Sequence, residues 1–268
     1  MSFQPVVPVS GYIGWKFLTR TLEQQQAAFS RAPALQRDMA YFRENIGKVE
    51  TADDLVSDRR LLRVALDAFG LGADLNNRAF IRKVLEDGTA DPRALANRLS
   101  DRRYQAMTNA FGLSGGGEPG TRAQGFADRM AALSTERRFE EALGVQNNSM
   151  RLALGLRRDL VALAEQPGSE NTRWFTVMGT PPLRKVFETA FGLTPSFAAL
   201  DIDRQLDVFR TRTTAMFGEP GVAQFRDPDR LEGLVQRFLL RDGISGGLGG
   251  IGSGSVALQL LQSIPRRG

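Results

Sequence analysis

The sequence predicts an all-α fold: two divergent copies of one helical unit, packed as multi-helix bundles with little or no sheet. Three observations predict it. Apolar residues recur at helical spacing through nearly every segment, and alternating strand patterns are nearly absent. The tetrapeptide Ala-Phe-Gly-Leu stands three times, at 68–71, 110–113 and 190–193.

The elements follow in order. "GWKFLTRTLEQQQAAF" is the first long amphipathic segment. Tyr12, Trp15, Phe17 and Leu18 near its start read as core side chains, with an aromatic patch for a partner as the alternative. In 58–69, Leu62, Leu66 and Phe69 form one stripe flanked by Leu61, Ala65 and Ala68, as an amphipathic helix requires. "NNRAFIRKVLED", "ADRMAALSTERRFEEAL", "SMRLALGLRRDLVALAEQ", "PLRKVFETAF", "IDRQLDVFRTRTTAMF" and "DRLEGLVQRFLL" continue the pattern. Asp91 and Asp227 are expected N-caps, with Pro92 and Pro228 at the first helical position. Only "TRWFTVM" has a β-like composition.

The recurring tetrapeptide reads as architecture. Gly70, Gly112 and Gly192 each follow an apolar helical run, where a left-handed residue ends the helix and glycine adopts it without Cβ strain. Leu71, Leu113 and Leu193 then fold back onto the last turn: Leu71 on Leu66, Leu113 on Met107, Leu193 on Phe187. A phosphate-binding loop would need its glycines before a helix.

The recurrences lie inside longer similarities, 36–71 with 157–193, each followed by a second helical arm. This places unit 1 with an N-terminal arm at 1–113, a Gly-rich linker at 114–121 and unit 2 at 122–242. A flexible Gly-rich linker is expected at 243–255 and a short amphipathic helix at 256–264. In that last segment Val256, Leu258, Leu260, Leu261 and Ile264 form a candidate partner-binding face. It is too short for a stable isolated helix, so it docks on its own domain, docks on a partner or stays disordered. Paired "GEPG" turns at 117–120 and 218–221 read as loops.

Composition narrows the chemistry. The chain of 268 residues contains no cysteine and no histidine, which removes disulfides, thiolate nucleophiles, imidazole catalysis and the usual zinc sites. No catalytic residue, cofactor site or metal site is assigned. "GLGGIG", Gly247 to Gly252, matches a dinucleotide fingerprint only formally, because it follows a helix and lacks a βαβ context. Asp201 and Asp203 read as a helix cap and a dipole partner rather than as cation ligands. "NNS" at 147–149 is a glycosylation sequon only for a chain that meets that machinery. Net charge is +5, yet acids are interleaved with the arginines and no basic stripe carries stacking aromatics, so nucleic acid is disfavoured as a partner. No apolar run reaches membrane-spanning length and no secretory signal opens the chain. Synthesis in the cytosol is expected.

Six ordered stretches carry a family resemblance: "SGYIGWKFLTRTLEQQQAAF", "TADDLVSDRRLLRVALDAFGL", "ADPRALANRLSDRRYQAMTNAFGL", "LRKVFETAFGL", "LDIDRQLDVF" and "FRDPDRLEGLVQRFLLR". Over about residues 9 to 242 the chain resembles the bacterial family labelled domain of unknown function 1217. The resemblance implies a protein encoded among flagellar genes, without an assigned enzymatic activity and with no catalytic residues to carry over. The leading expectation is therefore a non-enzymatic flagellum-associated protein with protein partners among flagellar components, in a structural or assembly role. Export and homo-oligomerisation stay open. The alternative is a binder of a phosphate-bearing or acidic small ligand in an Arg-lined cleft between the units, and a third is a nucleic-acid-binding regulator.

Overall fold

A computed structural model describes residues 3–250. Thirteen α-helices joined by short 3-10 turns make up this span, with no strand among the described residues. Two long helices begin parallel series of elements. The first series is α1 (Gly11–Ser30), α2 (Pro33–Asn45), α3 (Ala52–Ser57), α4 (Arg59–Ala68), α5 (Arg78–Asp87), α6 (Leu95–Arg98) and α7 (Arg102–Phe111). The second is α8 (Phe126–Gln146), α9 (Asn148–Glu165), α10 (Glu170–Met178), α11 (Pro181–Phe191), α12 (Ile202–Phe217) and α13 (Pro228–Gly250). In each, a helix of 20 or 21 residues precedes the helix that leads to a glycine stop and a 3-10 turn.

Local chemistry explains the helix ends. Thr51 forms a reciprocal capping box with Asp54, while Asp58, Asn147 and Asp201 accept backbone N–H groups at the starts of α4, α9 and α12. Gly70 and Gly192 sit at φ +68° and +65°. At the first, the Leu71 N–H reaches the Leu66 carbonyl (2.8 Å) and the Gly70 N–H that of Asp67 (2.9 Å). At the other, Leu193 and Gly192 bond Glu188 (2.9 Å) and Thr189 (3.0 Å) in the same Schellman pattern. Gly112 ends α7 with the simpler left-handed form, one bond of 3.0 Å to Thr108. Leu71 and Leu113 are buried; Leu193 is half-buried against the second core.

A substitution tests these stops. Gly70→Val and Gly192→Val each force a β-branched residue to positive φ, and each is expected to cost about 2 kcal/mol. The exposed Arg241 guanidinium crowding Gly192 can swing aside, so the backbone term dominates there. Thermal melting of the two variants checks this; unchanged midpoints would refute the backbone argument.

Two hydrophobic cores hold the helices. One gathers α2 to α5 and α7 around Phe42, Leu62, Leu66 and Phe111. The other gathers α9 to α13 around Trp174, Phe187, Phe209 and Phe238. Helix α8 belongs to both, giving Phe126 and Met130 to the first and Phe139 and Leu143 to the second.

Five structural details bear on the sequence reading. The N-terminal arm and α1 pack on the second core: Trp15 and Leu18 are fully buried in it, whereas Phe17 is 39 % exposed. The division between cores falls inside α8, not at 114–121, where Thr121 is buried and its hydroxyl donates to the Val49 carbonyl (2.8 Å). "TRWFTVM" lies in α10. The expected start at Asp91 is a turn in which Asp91 accepts from the Arg93 N–H (2.8 Å), and helix α6 begins at Leu95. Residues 243–250, expected as linker, continue α13, because an established helix adds residues without a new nucleation step. Residues 251–268, including Val256, Leu258, Leu260, Leu261 and Ile264, lie outside the described residues.

Candidate functional site

The face between the two units brings together arginines that are distant in sequence. Arg102 and Arg103 open α7, Arg137 lies on α8 and Arg158 on α9. All four line one cleft of about 350 Å³, in which the single acidic lining residue is Asp159. Ala106, Leu133, Leu163 and Leu183 supply apolar walls, and Gln166, Thr176 and Thr180 polar groups. Backbone joins the units at this point, the Arg102 N–H donating to the Gly179 carbonyl (2.8 Å).

The guanidiniums differ in their partners. Arg103 is held by Asp101 through Nε (3.0 Å) and Nη2 (2.7 Å), and its Nη1 donates to the Gly70 carbonyl. The left-handed stop at Gly70 therefore presents an acceptor to α7. Arg137 donates to Asp159 (3.0 Å) and lies 3.6 Å from Glu140. Arg158 joins the same group, donating to Asp159 through Nε (3.0 Å) and to Glu140 through Nη1 and Nη2. Burial pushes the Glu140 carboxyl up against the pull of Arg158 and Arg137, while Asp159 and Glu140 hold Arg158 charged. Arg102 differs: its guanidinium donates to the Gln105 side-chain oxygen at 3.3 Å and meets no carboxylate among the described residues.

A second ionic cluster sits on another face of α8. Arg138 bridges Asp67 on α4 (2.6 Å) and Asp38 on α2 (2.9 Å), tying three helices of the first core. Burial raises the Asp67 carboxyl despite this pairing. At the chain's start, Glu232 on α13 accepts from Tyr12 (2.9 Å), Trp15 (3.2 Å) and Lys16 (2.7 Å), which clamps α1 to the second core and holds its carboxyl below the usual range. These carboxylates are engaged by donors and are placed to hold helices together.

The other residues singled out in the sequence are structural. Asp201 caps α12, accepting from the Arg204 N–H (2.9 Å), and Asp203 lies exposed in the first turn. Asn147 of the sequon caps α9. Gly247 to Gly250 continue α13, and the rest of "GLGGIG" lies outside the described residues. No group of three or more potential metal ligands occurs among the described residues.

One surface feature could not be read from periodicity. Val6, Val9 and Ile13 are 54, 48 and 78 % exposed, and Ile13 and the exposed Phe17 share a face of α1 one turn apart. The arm carrying the two valines is fixed to the same helix, since the Val6 backbone exchanges two hydrogen bonds with the Gln25 side chain (2.7 and 3.0 Å).

These features define an all-α protein of two helical units joined through a shared helix, with an arginine-rich cleft between them. A family model described as protein of unknown function (DUF1217) matches residues 68–231, and the chain belongs to that family. A structural-genomics X-ray structure of a protein from Agrobacterium tumefaciens is similar, with a TM-score of 0.71 and 28 % identity over 89 % of this chain and 97 % of that one. No curated protein matches. No described helix is long and apolar enough to cross a membrane.

Proposed function

We propose that this protein is a non-enzymatic interaction protein of the flagellar system, acting as a structural component or in assembly. The flagellar element rests on the resemblance to a family encoded among flagellar genes. The interaction element rests on one observation: Val6, Val9, Ile13 and Phe17 stand exposed on a rigidly held arm and helix. Exposed apolar side chains on a helix and on the arm tied to it favour association with a partner that covers them. Trp15 and the Glu232 clamp beneath hold that face in place, so a partner meets an ordered surface.

A deletion strain complemented with wild-type protein or with an Ile13→Glu/Phe17→Glu double variant tests this. The deletion is expected to impair motility or flagellation while leaving growth intact. Wild-type protein restores motility; the double variant, shown folded by circular dichroism, does not. A fully motile deletion strain with normal filaments would refute the flagellar reading, and full rescue by the double variant would refute the surface.

A further inference from the structure

We propose that the cleft between the units binds a small amphipathic anion, a phosphate or carboxylate head on an apolar body, with Arg102 engaging the head. Three observations converge. The first is an imbalance of charge among the lining groups. Four guanidiniums face the cleft; Asp101, Glu140 and Asp159 compensate Arg103, Arg137 and Arg158, which leaves Arg102 as the charge without a carboxylate among the described residues. An incoming anion therefore meets no free negative charge there.

The second observation is a local shortage of acceptors. Arg102 reaches only a neutral amide oxygen at 3.3 Å. Arg102 thereby differs from Arg138, which donates to two carboxylates, Asp38 and Asp67. Guanidinium also offers paired N–H groups in one plane, the geometry that receives a carboxylate or phosphate.

The third is the shape and lining of the space. About 350 Å³ admits a small molecule, and ligand pockets are largely apolar with few oriented polar groups. Ala106, Leu133, Leu163 and Leu183 form such walls, and Thr176 and Gln166 add hydrogen-bonding groups. A bare inorganic anion would leave these walls facing water. An aryl or alkyl body covers them, which is why the ligand class is amphipathic. The cleft is built from the end of α4 and from α7 on one unit, α9 to α11 on the other and the shared α8, so an occupant braces the two units together and stabilises the folded chain.

The test uses the full chain and three probes at matched ionic strength: phenyl phosphate, inorganic phosphate and benzyl alcohol. Phenyl phosphate is expected to raise the melting temperature saturably, with the other two giving at least tenfold weaker effects. Arg102→Met should weaken phenyl phosphate at least tenfold, whereas Arg212→Met, an equal charge loss at an exposed site on α12, should leave it unchanged. Ala162→Phe enters the cleft from an exposed rim position. It blocks binding without touching an arginine, which keeps the proposal testable if Arg102→Met does not fold. Absence of a saturable response in the wild type would overturn the site. So would an unchanged response in Arg102→Met or Ala162→Phe. An equal response to inorganic phosphate would overturn the assignment of an apolar body.

Discussion

Arg158→Met is expected to destabilise the protein by about 3 kcal/mol at neutral pH, and by more at pH 8 than at about pH 5. Methionine keeps most of the buried stem volume, so the loss isolates the guanidinium. Glu140 is 7 % exposed. Without Arg158 it retains only Arg137, 3.6 Å away, and Arg137 is also the remaining partner of Asp159. A carboxylate left buried with half its compensation is the costly case; the intact pair itself contributes far less. The sign of the pH dependence follows from the same burial. Burial already pushes the Glu140 carboxyl up, and losing Arg158 removes the largest opposing charge. The folded state of the variant then binds the proton more tightly than the unfolded chain does. Stability falls as pH rises from the ordinary glutamate value to the raised folded one, and stays low above it. Melting temperatures across that range check the slope. At 2–4 °C per kcal/mol the neutral-pH shift is roughly 10 °C. A variant as stable as wild type at pH 8, or one whose deficit shrinks on going from pH 5 to pH 8, would remove the argument.

The places where sequence and structure agree are local, and those where they part are not. Helical periodicity and glycine chemistry act within a few residues, so α4 and its stop at Gly70 could be read directly from "DRRLLRVALDAFGL". The amphipathic stripe of α1 was equally plain, but a stripe states which face is apolar and not what covers it. Its partner, α13, lies more than two hundred residues away along the chain. Gly120 misled for a related reason. It stands in a glycine-rich stretch that reads as linker, yet it packs so tightly on the Ala110 carbonyl that a side chain would clash. Glycine there serves close approach rather than flexibility. The arginine content suggested an anion-binding alternative, but only long-range packing of α7, α8 and α9 singles out Arg102, Arg103, Arg137 and Arg158. The four lie on three different helices, and no spacing rule links those helices.

Trp174→Ala is expected to cost about 4 kcal/mol, the range for truncating a fully buried tryptophan. The residue lies in "TRWFTVM", the one segment of β-like composition, and tertiary packing decides its state. Its ring stacks on Phe209 with centroids 5.5 Å apart and planes 11° from parallel, and meets Phe187 edge-on at 5.2 Å. Phe187 in turn contacts Phe191 and Phe225, so a cavity here removes partners from α11, α12 and the turn before α13 together. The indole N–H donates to the Pro220 carbonyl (2.9 Å), anchoring the second "GEPG" loop to α10. Alanine removes that donor as well and leaves the carbonyl to find water. Trp174→Phe preserves most of the stacking area while losing the N–H, and should therefore lie between wild type and alanine, at about 1–2 kcal/mol. Chemical denaturation of both variants reads the difference. The order wild type, phenylalanine, alanine is the expected result. Equal losses for the two variants would place the whole effect in the Pro220 hydrogen bond, and an alanine variant of native stability would mean that this aromatic cluster does not hold the second core.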